Sequence, residues 1–287
     1  MVLQCQLDRR RLLDTNKIGV TRLLSKVSGI PQVDELRPLT LLNCDYRILS
    51  KLFVSRLKPV LPSIIKSGQL CTVGSKNILF GVRNVLSSIL YINQEKKGGC
   101  LINLDFFKAF DRVLISFLLQ VMHRMGFGSK FCLWIQMLHE GAQTRFLLSK
   151  LTKAIKVSFS IRQGDPLAML LYIIYVEPLL VMIESRVKGL QIQVNSLQLQ
   201  SFRQCLEAYC DDINVVTEDI ADLKVIDNAV SVFESVSGAI LSRSKKCNII
   251  GFGKWKKKTV WPLQYLRTVK EVKIFGIFVM NSFRSLL

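Results

Sequence analysis

The stretch LEAYCDDINVV, Leu206 to Val216, decides how the rest of the chain is read. Its two halves are short, apolar and rich in β-formers, so it predicts two strands joined by a turn. The turn holds adjacent carboxylates, Asp211 and Asp212. Like charges repel, and Asn-Gly or Asp-Gly would make a tight turn with less strain. Either the pair is a solvated turn or something neutralises it.

A third carboxylate is expected nearby. NILFGVRNVLSSILYINQEKKGG predicts a helix with Ile78, Val82, Val85, Leu86 and Ile89 or Leu90 on one face, stopped by Gly98 and Gly99. CLINLD then reads as a strand that delivers Asp105 at its carboxyl end. If the hairpin lies beside that strand in one sheet, two or all three of Asp105, Asp211 and Asp212 converge. A hard divalent cation such as Mg²⁺, held by carboxylates and substrate phosphates, would supply the counter-charge. Two such ions about 3.5–4 Å apart activate an attacking hydroxyl and stabilise a leaving oxygen in phosphoryl transfer.

Elsewhere, DYRILSKLFVSRLKPVLPSII carries Ile48, Leu49, Leu52, Phe53 and Leu57 at helical spacing, broken by Pro59 and Pro62. Two further helices are expected in LISFLLQVMHRMGFG and SKFCLWIQMLHEGA, and another in DIADLKVIDNAVSVFESVSG with Leu223, Ile226, Val230 and Phe233 buried and Gly238 as its C-cap. CNIIGFG and VKIFGIFV add β signals. Helices and strands alternate irregularly, so the fold class is α+β, and no linker or repeat divides the chain.

The 287 residues are 49% hydrophobic, ample for a packed core, and Lys plus Arg number 40 against 21 Asp plus Glu, a formal charge of +19. That excess points to a polyanionic partner. The longest apolar run, Leu167 to Val176, is too short to span a bilayer and reads as a buried helix. No membrane role and no secretory signal are expected, so the chain is read as intracellular, in nucleus or cytoplasm. The eight cysteines form no CxxC pair and are expected as reduced, mostly buried thiols. His123 and His139 are expected on helix faces rather than as ligands.

LDFFKAFDRV, IRQGDPLAMLLYIIYVEPLL, AYCDD and SGAILSRSKK, preceded by LRPLTLLNCDYRILSKLFVSRLKPVLP, resemble in order and spacing the reverse transcriptases of non-LTR retrotransposons. A lone YxDD is a weak signal, but the ordered set is specific. The resemblance implies a right-hand polymerase core, with an N-terminal extension over 1–22, a reverse transcriptase domain over 23–279 (fingers about 23–100, palm about 101–279) and a tail over 280–287. A small antiparallel palm sheet flanked by helices is expected, with the thumb largely missing. The implied activity is transfer of a nucleotide from a deoxynucleoside triphosphate to a primer 3′-hydroxyl, directed by an RNA template and assisted by two Mg²⁺ ions, with Mn²⁺ as a substitute. RNA template, DNA primer and RNA–DNA duplex are the implied partners.

Residue by residue, the resemblance implies Asp105, Asp211 and Asp212 as the catalytic and metal-binding carboxylates. Phe110 takes the place of the aromatic that would collide with a ribose 2′-hydroxyl. Gln163 falls where the family residue lies under the nucleotide's sugar, and Gly164 lets backbone approach closely. Arg37 matches an arginine that clasps the triphosphate, a task suited to a planar fork of donors. Lys26 is a phosphate candidate, Arg162 a template or phosphate contact, and Lys245 stands where a lysine acts near the leaving pyrophosphate. Asp111 and Lys108 are expected to support the site locally. From the residues alone, Lys254, Trp255, Lys256, Lys257 and Lys258 combine charge with a stacking ring and could track a nucleic-acid backbone.

The chain departs from the family pattern in places. YCDD has Cys where Ala is usual, CTVGSKNI replaces VPGRxI and puts Lys76 for Arg, LLSK lacks the proline of LPK, PLAMLLY stands for PLSPLLF, and Ser242 replaces an Asn. None removes a metal-ligand candidate. Family members usually carry an endonuclease upstream and a thumb and Cys/His-rich tail downstream, so a fragment is expected. The alternative function is a catalytically silent nucleic-acid-binding remnant.

Overall fold

Apolar, β-prone residues flank the Asp211–Asp212 turn on both sides, and both flanks form strands. The computed structural model describes residues 2–66, 68–74, 76–193, 201–243 and 246–281. Along the chain its strands are β1 (Ile18–Ser25), β2 (Leu36–Leu41), β3 (Gly98–Leu104), β4 (Gln143–Phe146), β5 (Ile155–Lys156), β6 (Leu190–Ile192), β7 (Phe202–Gln204), β8 (Leu206–Tyr209), β9 (Asp212–Thr217), β10 (Asn248–Gly253), β11 (Arg267–Thr268), β12 (Glu271–Ile274) and β13 (Ile277–Met280). The longer helices cover Cys44–Leu57, Ile78–Gln94, Ile115–Arg124, Ser129–His139, Ala168–Arg186 and Ala221–Ser237. The class is α+β, as the irregular alternation predicts.

The chain forms two compact units, one of Met1–Ile64 with Lys108–Tyr175 and the other of Ile65–Phe107 with Val176–Leu287. The second unit is built on a sheet of order β11-β10-β3-β9-β8. Its central strand β3 runs antiparallel to both β10 and β9, with Leu104 opposite Ile213. Cys100, Leu101, Ile102 and Leu104 are all buried, as are Ile213, Val215 and Val216 of β9. One face packs Leu101, Val216, Ile250 and Phe252 against Val85, Ile89 and Ile92 of the Ile78–Gln94 helix. Burial of that apolar set stabilises the sheet at roughly 25 cal/mol per Å² removed from water. The register fixes where chemistry sits: Asp105 follows β3 at the end where β9 begins with Asp212.

Two local expectations are corrected here. Gly98 and Gly99 do not stop the preceding helix, which ends at Gln94, but open β3 opposite Gly253 and Phe252. They are small because side chains press on them: a Cβ on Gly98 would sit 2.4 Å from the indole nitrogen of Trp255, and one on Gly99 2.5 Å from Ile92. In the Cys44–Leu57 helix the buried face is Tyr46, Leu49, Phe53 and Leu57, while Ile48 and Leu52 are exposed. The Ala221–Ser237 helix follows expectation, with Leu223, Ile226, Val230 and Phe233 buried and Gly238 closing it at φ 82°. The VKIFGIFV segment is a hairpin, β12–β13, turned at Phe275 and Gly276 with positive φ at both. All eight cysteines are free, and His139 is buried with its Nδ1 2.9 Å from the Ile135 carbonyl oxygen.

The first unit holds a sheet of order β2-β1-β4-β5, with β1 antiparallel to β2 and parallel to β4. These strands carry Thr, Arg and Gln and give no clear alternation, which is why no β signal marks them in the sequence. Their polar residues satisfy one another, as where the buried Thr21 hydroxyl meets Thr40 at 2.8 Å and also bonds Thr144.

The Ala168–Arg186 helix has 19 residues, nearly twice the apolar run that marks it, and is long and apolar enough to cross a membrane by composition. Most of it is buried within the chain, as in a core helix. Buried in it is Glu177, whose Oε1 accepts the Lys66 N–H at 2.7 Å while Oε2 has no partner among the described residues. Burial pushes its carboxyl up to about 7 from an ordinary 4.5. Above that unfolded value the folded state holds a proton the unfolded chain releases, so stability is lost as pH rises from 4.5 through about 7. Glu177→Gln is therefore expected to raise urea-unfolding stability by about 2 kcal/mol near pH 8 and by little near pH 5. Equal effects at the two pH values would contradict a buried, titrating Glu177.

Candidate active site

The β8–β9 hairpin pairs Leu206 with Val215 through to Tyr209 with Asp212, which leaves Cys210 and Asp211 as a two-residue loop. Cys210 has φ 58°, and Asp211 is not among the residues of positive φ. This is the sign pattern of a II′ turn, whose first central position ordinarily takes glycine. A non-glycine residue there costs on the order of 1–3 kcal/mol and persists only where its surroundings hold it. The holding group is Gln69, whose Oε1 accepts the Cys210 N–H at 3.0 Å.

Asp105, Asp211 and Asp212 line one open cleft of about 230 Å³ together with Asn103, Leu104 and Lys273. The expected convergence is therefore present, and it lies wholly within the second unit. Asp211 is exposed and the Asp105 side chain is 41% exposed, with the Lys246 ammonium 4.0 Å from its carboxylate. The Asp105 carbonyl oxygen accepts the Ser242 N–H at 2.8 Å, which ties the loop after Gly238 to the end of β3.

Asp212 differs from its neighbours. Its Oδ1 accepts from Asn103 at 2.9 Å and Asn214 at 3.1 Å, and its Oδ2 accepts the Phe275 N–H at 3.0 Å. Burial pushes its carboxyl up, the negative charge of Asp105 adds to that, and the three donors oppose it. With both oxygens engaged, Asp212 anchors the turn to β3 and to the β12–β13 hairpin, while Asp105 and Asp211 are the more solvent-accessible carboxylates of the cleft. Among the described residues no three Asp, Glu, His or Cys side chains form a metal cage. A hard cation such as Mg²⁺ does not need one, since it is commonly held by one or two carboxylates with water and phosphate oxygens completing its shell. The donor set fits.

The other expected residues are distributed as follows. In the first unit Phe110 stacks on Tyr172 at 4.7 Å between centroids, which fixes its ring. Gln163 donates to Asp111 Oδ1 at 3.3 Å, so Asp111 does support the region locally. Burial raises the Asp111 carboxyl, and Gln163, Lys108 and Lys26 oppose it. Lys26 and Arg37 lie exposed on the β1–β2 hairpin, where Arg37 stands opposite Leu24.

Arg162 is a correction. It is 4% exposed, its guanidinium donates to the Lys17 and Leu138 carbonyls at 3.3 and 3.4 Å, and it lies 4.5 Å over the Tyr46 ring. It braces the first unit instead of meeting template or phosphate. Gly164 does permit a close approach, but of its own chain: a Cβ there would lie 2.3 Å from the Thr40 carbonyl oxygen. Trp255 is half-buried, packed on Gly98 and edge-on to Trp261 at 6.0 Å, so its ring is not a free stacking platform. Lys254, Lys256 and Lys257 are exposed, and Lys258 lies 5.5 Å over Trp261. Lys245 lies outside the described residues.

A family model described as reverse transcriptase (RNA-dependent DNA polymerase) matches residues 25–278. The chain belongs to the reverse transcriptase family. A protein of transposon TX1 from Xenopus laevis, described as an uncharacterized 149 kDa protein, is 28% identical over 233 residues, which are 81% of this chain and 17% of that protein. The motif resemblance to non-LTR retrotransposon reverse transcriptases is borne out by this pair of findings. Among solved structures, apo telomerase from Candida tropicalis, truncated from its C-terminal domain, is similar with a TM-score of 0.61 at 10% identity, over 94% of this chain and 54% of that one. Telomerase from Candida albicans with a fragment of telomeric RNA gives 0.58 at 9% identity, over 97% and 48%. The chain thus spans about a sixth of that curated relative and about half of those telomerases, and at such identities the likeness shows the fold, that of right-hand polymerases.

Within this reverse transcriptase chain, the residues that sequence reasoning missed are those that hold the carboxylates. Asn103 and Asn214 look like ordinary strand residues, and their only signal is that each is a polar residue inside an apolar strand. Asp165 in RQGDP accepts from Tyr46 at 2.7 Å, from the Ser50 hydroxyl and from the Leu167 N–H at 2.9 Å, fixing the turn that presents Gln163. Asn103→Ala removes one donor from Asp212 and is expected to weaken Mg²⁺ or Mn²⁺ affinity by about 10–100-fold, the usual scale for groups that orient metal-site carboxylates. Titration with Mn²⁺ followed by electron paramagnetic resonance measures it, and unchanged affinity would sink the anchoring role.

Proposed function

We propose that this chain is the catalytic module of an RNA-directed DNA polymerase of the non-LTR retrotransposon kind. It would add nucleotides from deoxynucleoside triphosphates to a primer 3′-hydroxyl paired with an RNA template. The observation that carries the proposal is the gathering of Asp105, Asp211 and Asp212 in one cleft of a chain whose family match runs from residue 25 to 278.

Such transfers depend almost entirely on positioning and charge stabilisation. Asp105 and Asp211 would hold Mg²⁺, or Mn²⁺ in its place, and a bound pair of such ions supplies activation of the hydroxyl and stabilisation of the leaving oxygen. Asp212 keeps the turn in place through Asn103, Asn214 and Phe275. Lys246 beside Asp105 and Lys273 in the cleft add positive charge where phosphate oxygens would develop negative charge. Phe110, immobilised on Tyr172, is the candidate for excluding a 2′-hydroxyl, Gln163 for the sugar, and Arg37 and Lys26 for the triphosphate.

The test is primer extension by the purified chain on an RNA template with deoxynucleotides and Mg²⁺. DNA synthesis supports the reading. No synthesis while RNA–DNA duplex binding persists would replace it with a silent nucleic-acid-binding remnant.

Duplex affinity itself is expected to fall steeply with salt, because each phosphate contact releases counterions. Replacing both Lys256 and Lys257 by Ala should flatten the slope of log affinity against log salt by about 2, one per lost contact. An unchanged slope in a fluorescence-anisotropy titration would remove this run from the interface.

A further inference from the structure

The turn that presents Asp211 also presents a thiol, and that thiol has a partner. Residues Gly68 to Cys71 run beside β8. Ala208 donates its N–H to the Gly68 carbonyl at 2.8 Å and Leu70 donates to the Ala208 carbonyl at 2.9 Å, so that Gln69 and Ala208 form a parallel bridge. Cys71 and Cys210 each follow two residues beyond this bridge, Cys210 in the turn itself. The Gln69 side chain reinforces this alignment, because its Oε1 accepts both the Cys71 N–H at 3.1 Å and the Cys210 N–H at 3.0 Å.

Both thiols are free and buried. The side chains of Cys71 and Cys210 are in hydrogen-bonding contact. Two thiols in contact supply the sulfenic-acid former and the resolving partner that a reversible disulfide needs.

We propose that Cys71 and Cys210 are a redox modification site that closes to a disulfide and ties the Asp211 turn to the Gly68–Cys71 segment. With a peroxide as oxidant, the Cys71 sulfur attacks one peroxide oxygen, the O–O bond breaks, and one water leaves behind a sulfenic acid. The Cys210 sulfur then attacks the Cys71 sulfur, the S–O bond breaks, and a second water departs with the Cys210 proton. Two thiols and one hydrogen peroxide give one disulfide and two waters, with sulfur oxidised and peroxide oxygen reduced. The link constrains a loop residue whose backbone already sits at positive φ, next to a carboxylate of the cleft.

The test treats the full 287-residue chain with hydrogen peroxide, blocks remaining thiols with maleimide in denaturant, and maps peptides by mass spectrometry without reductant. The expected result is a Cys71–Cys210 linked peptide lighter by two hydrogens than its separate parts, with labelling of both residues lost together and restored by dithiothreitol. Cys71→Ser should leave Cys210 labelled at the same peroxide dose. A Cys5→Ser, Cys44→Ser variant, lacking the two cysteines that are not buried, should still form the link within one chain. Full maleimide labelling of both residues after peroxide, sulfinic acid without a link, or a link found only between chains would overturn the proposal. The mapping needs no polymerase activity, so its outcome is independent of primer extension.

Discussion

Asp211→Asn is expected to lower the rate of primer extension by about 10²–10³-fold, with RNA–DNA duplex binding unchanged. The substitution keeps the side chain's size in a turn that is already strained at Cys210, so folding is preserved. It removes one of the two more solvent-accessible carboxylates of a cleft whose third carboxylate is engaged by three N–H donors. Metal assistance supplies several kcal/mol of charge stabilisation, and each 1.36 kcal/mol is worth about tenfold in rate. Asp105→Asn should match it, since Asp105 occupies the same cleft from the end of β3. Single-turnover extension beside fluorescence-anisotropy binding separates the two effects. A loss of less than tenfold for Asp211→Asn would remove Asp211 from the cation-binding role.

Gly164→Ala is expected to destabilise the chain by about 3–5 kcal/mol, from φ strain and overpacking together. Gly164 has φ 110°, where an L side chain is strained, and the added Cβ would fall 2.3 Å from the carbonyl oxygen of Thr40. That oxygen belongs to β2, whose Thr40 N–H donates to the Gln163 carbonyl at 2.7 Å, so neither side can retreat without breaking the strand contact. The melting temperature should fall by roughly 10 °C for a chain of this size. Gly126→Ala is the control, because Gly126 has φ 87° with nothing within 4 Å and reports the conformational strain alone. Equal shifts for the two variants would mean that the approach to Thr40 costs nothing.

Legibility of the fold tracked how local each signal is. The Ala221–Ser237 helix, β3, β8 and β9 were readable because apolar spacing, β-branched runs and a terminal glycine encode them within a few residues. Strands β1, β2, β4 and β5 were not, since their buried polar residues are satisfied only by one another across the sheet, as Thr21 is by Thr40 and Thr144. The Gly98–Gly99 pair misled for a related reason. Its glycines answer to Trp255 and Ile92, not to the helix before them.

The sequence by itself determined the carboxylates and their order, because ordered motifs around Asp105, Asp211 and Asp212 specify one chemistry. It also determined which strands would deliver them. Only the tertiary structure decided that Asp212 is held by Asn103, Asn214 and Phe275, that Arg162 turns inward onto Tyr46, and that Gln69 joins the backbones of Cys71 and Cys210. Each of these is a contact between segments far apart in the chain. Hydrophobic period and turn chemistry specify an element, but which side chains meet across elements depends on strand register and sheet order, and these are set by the packing of the whole unit.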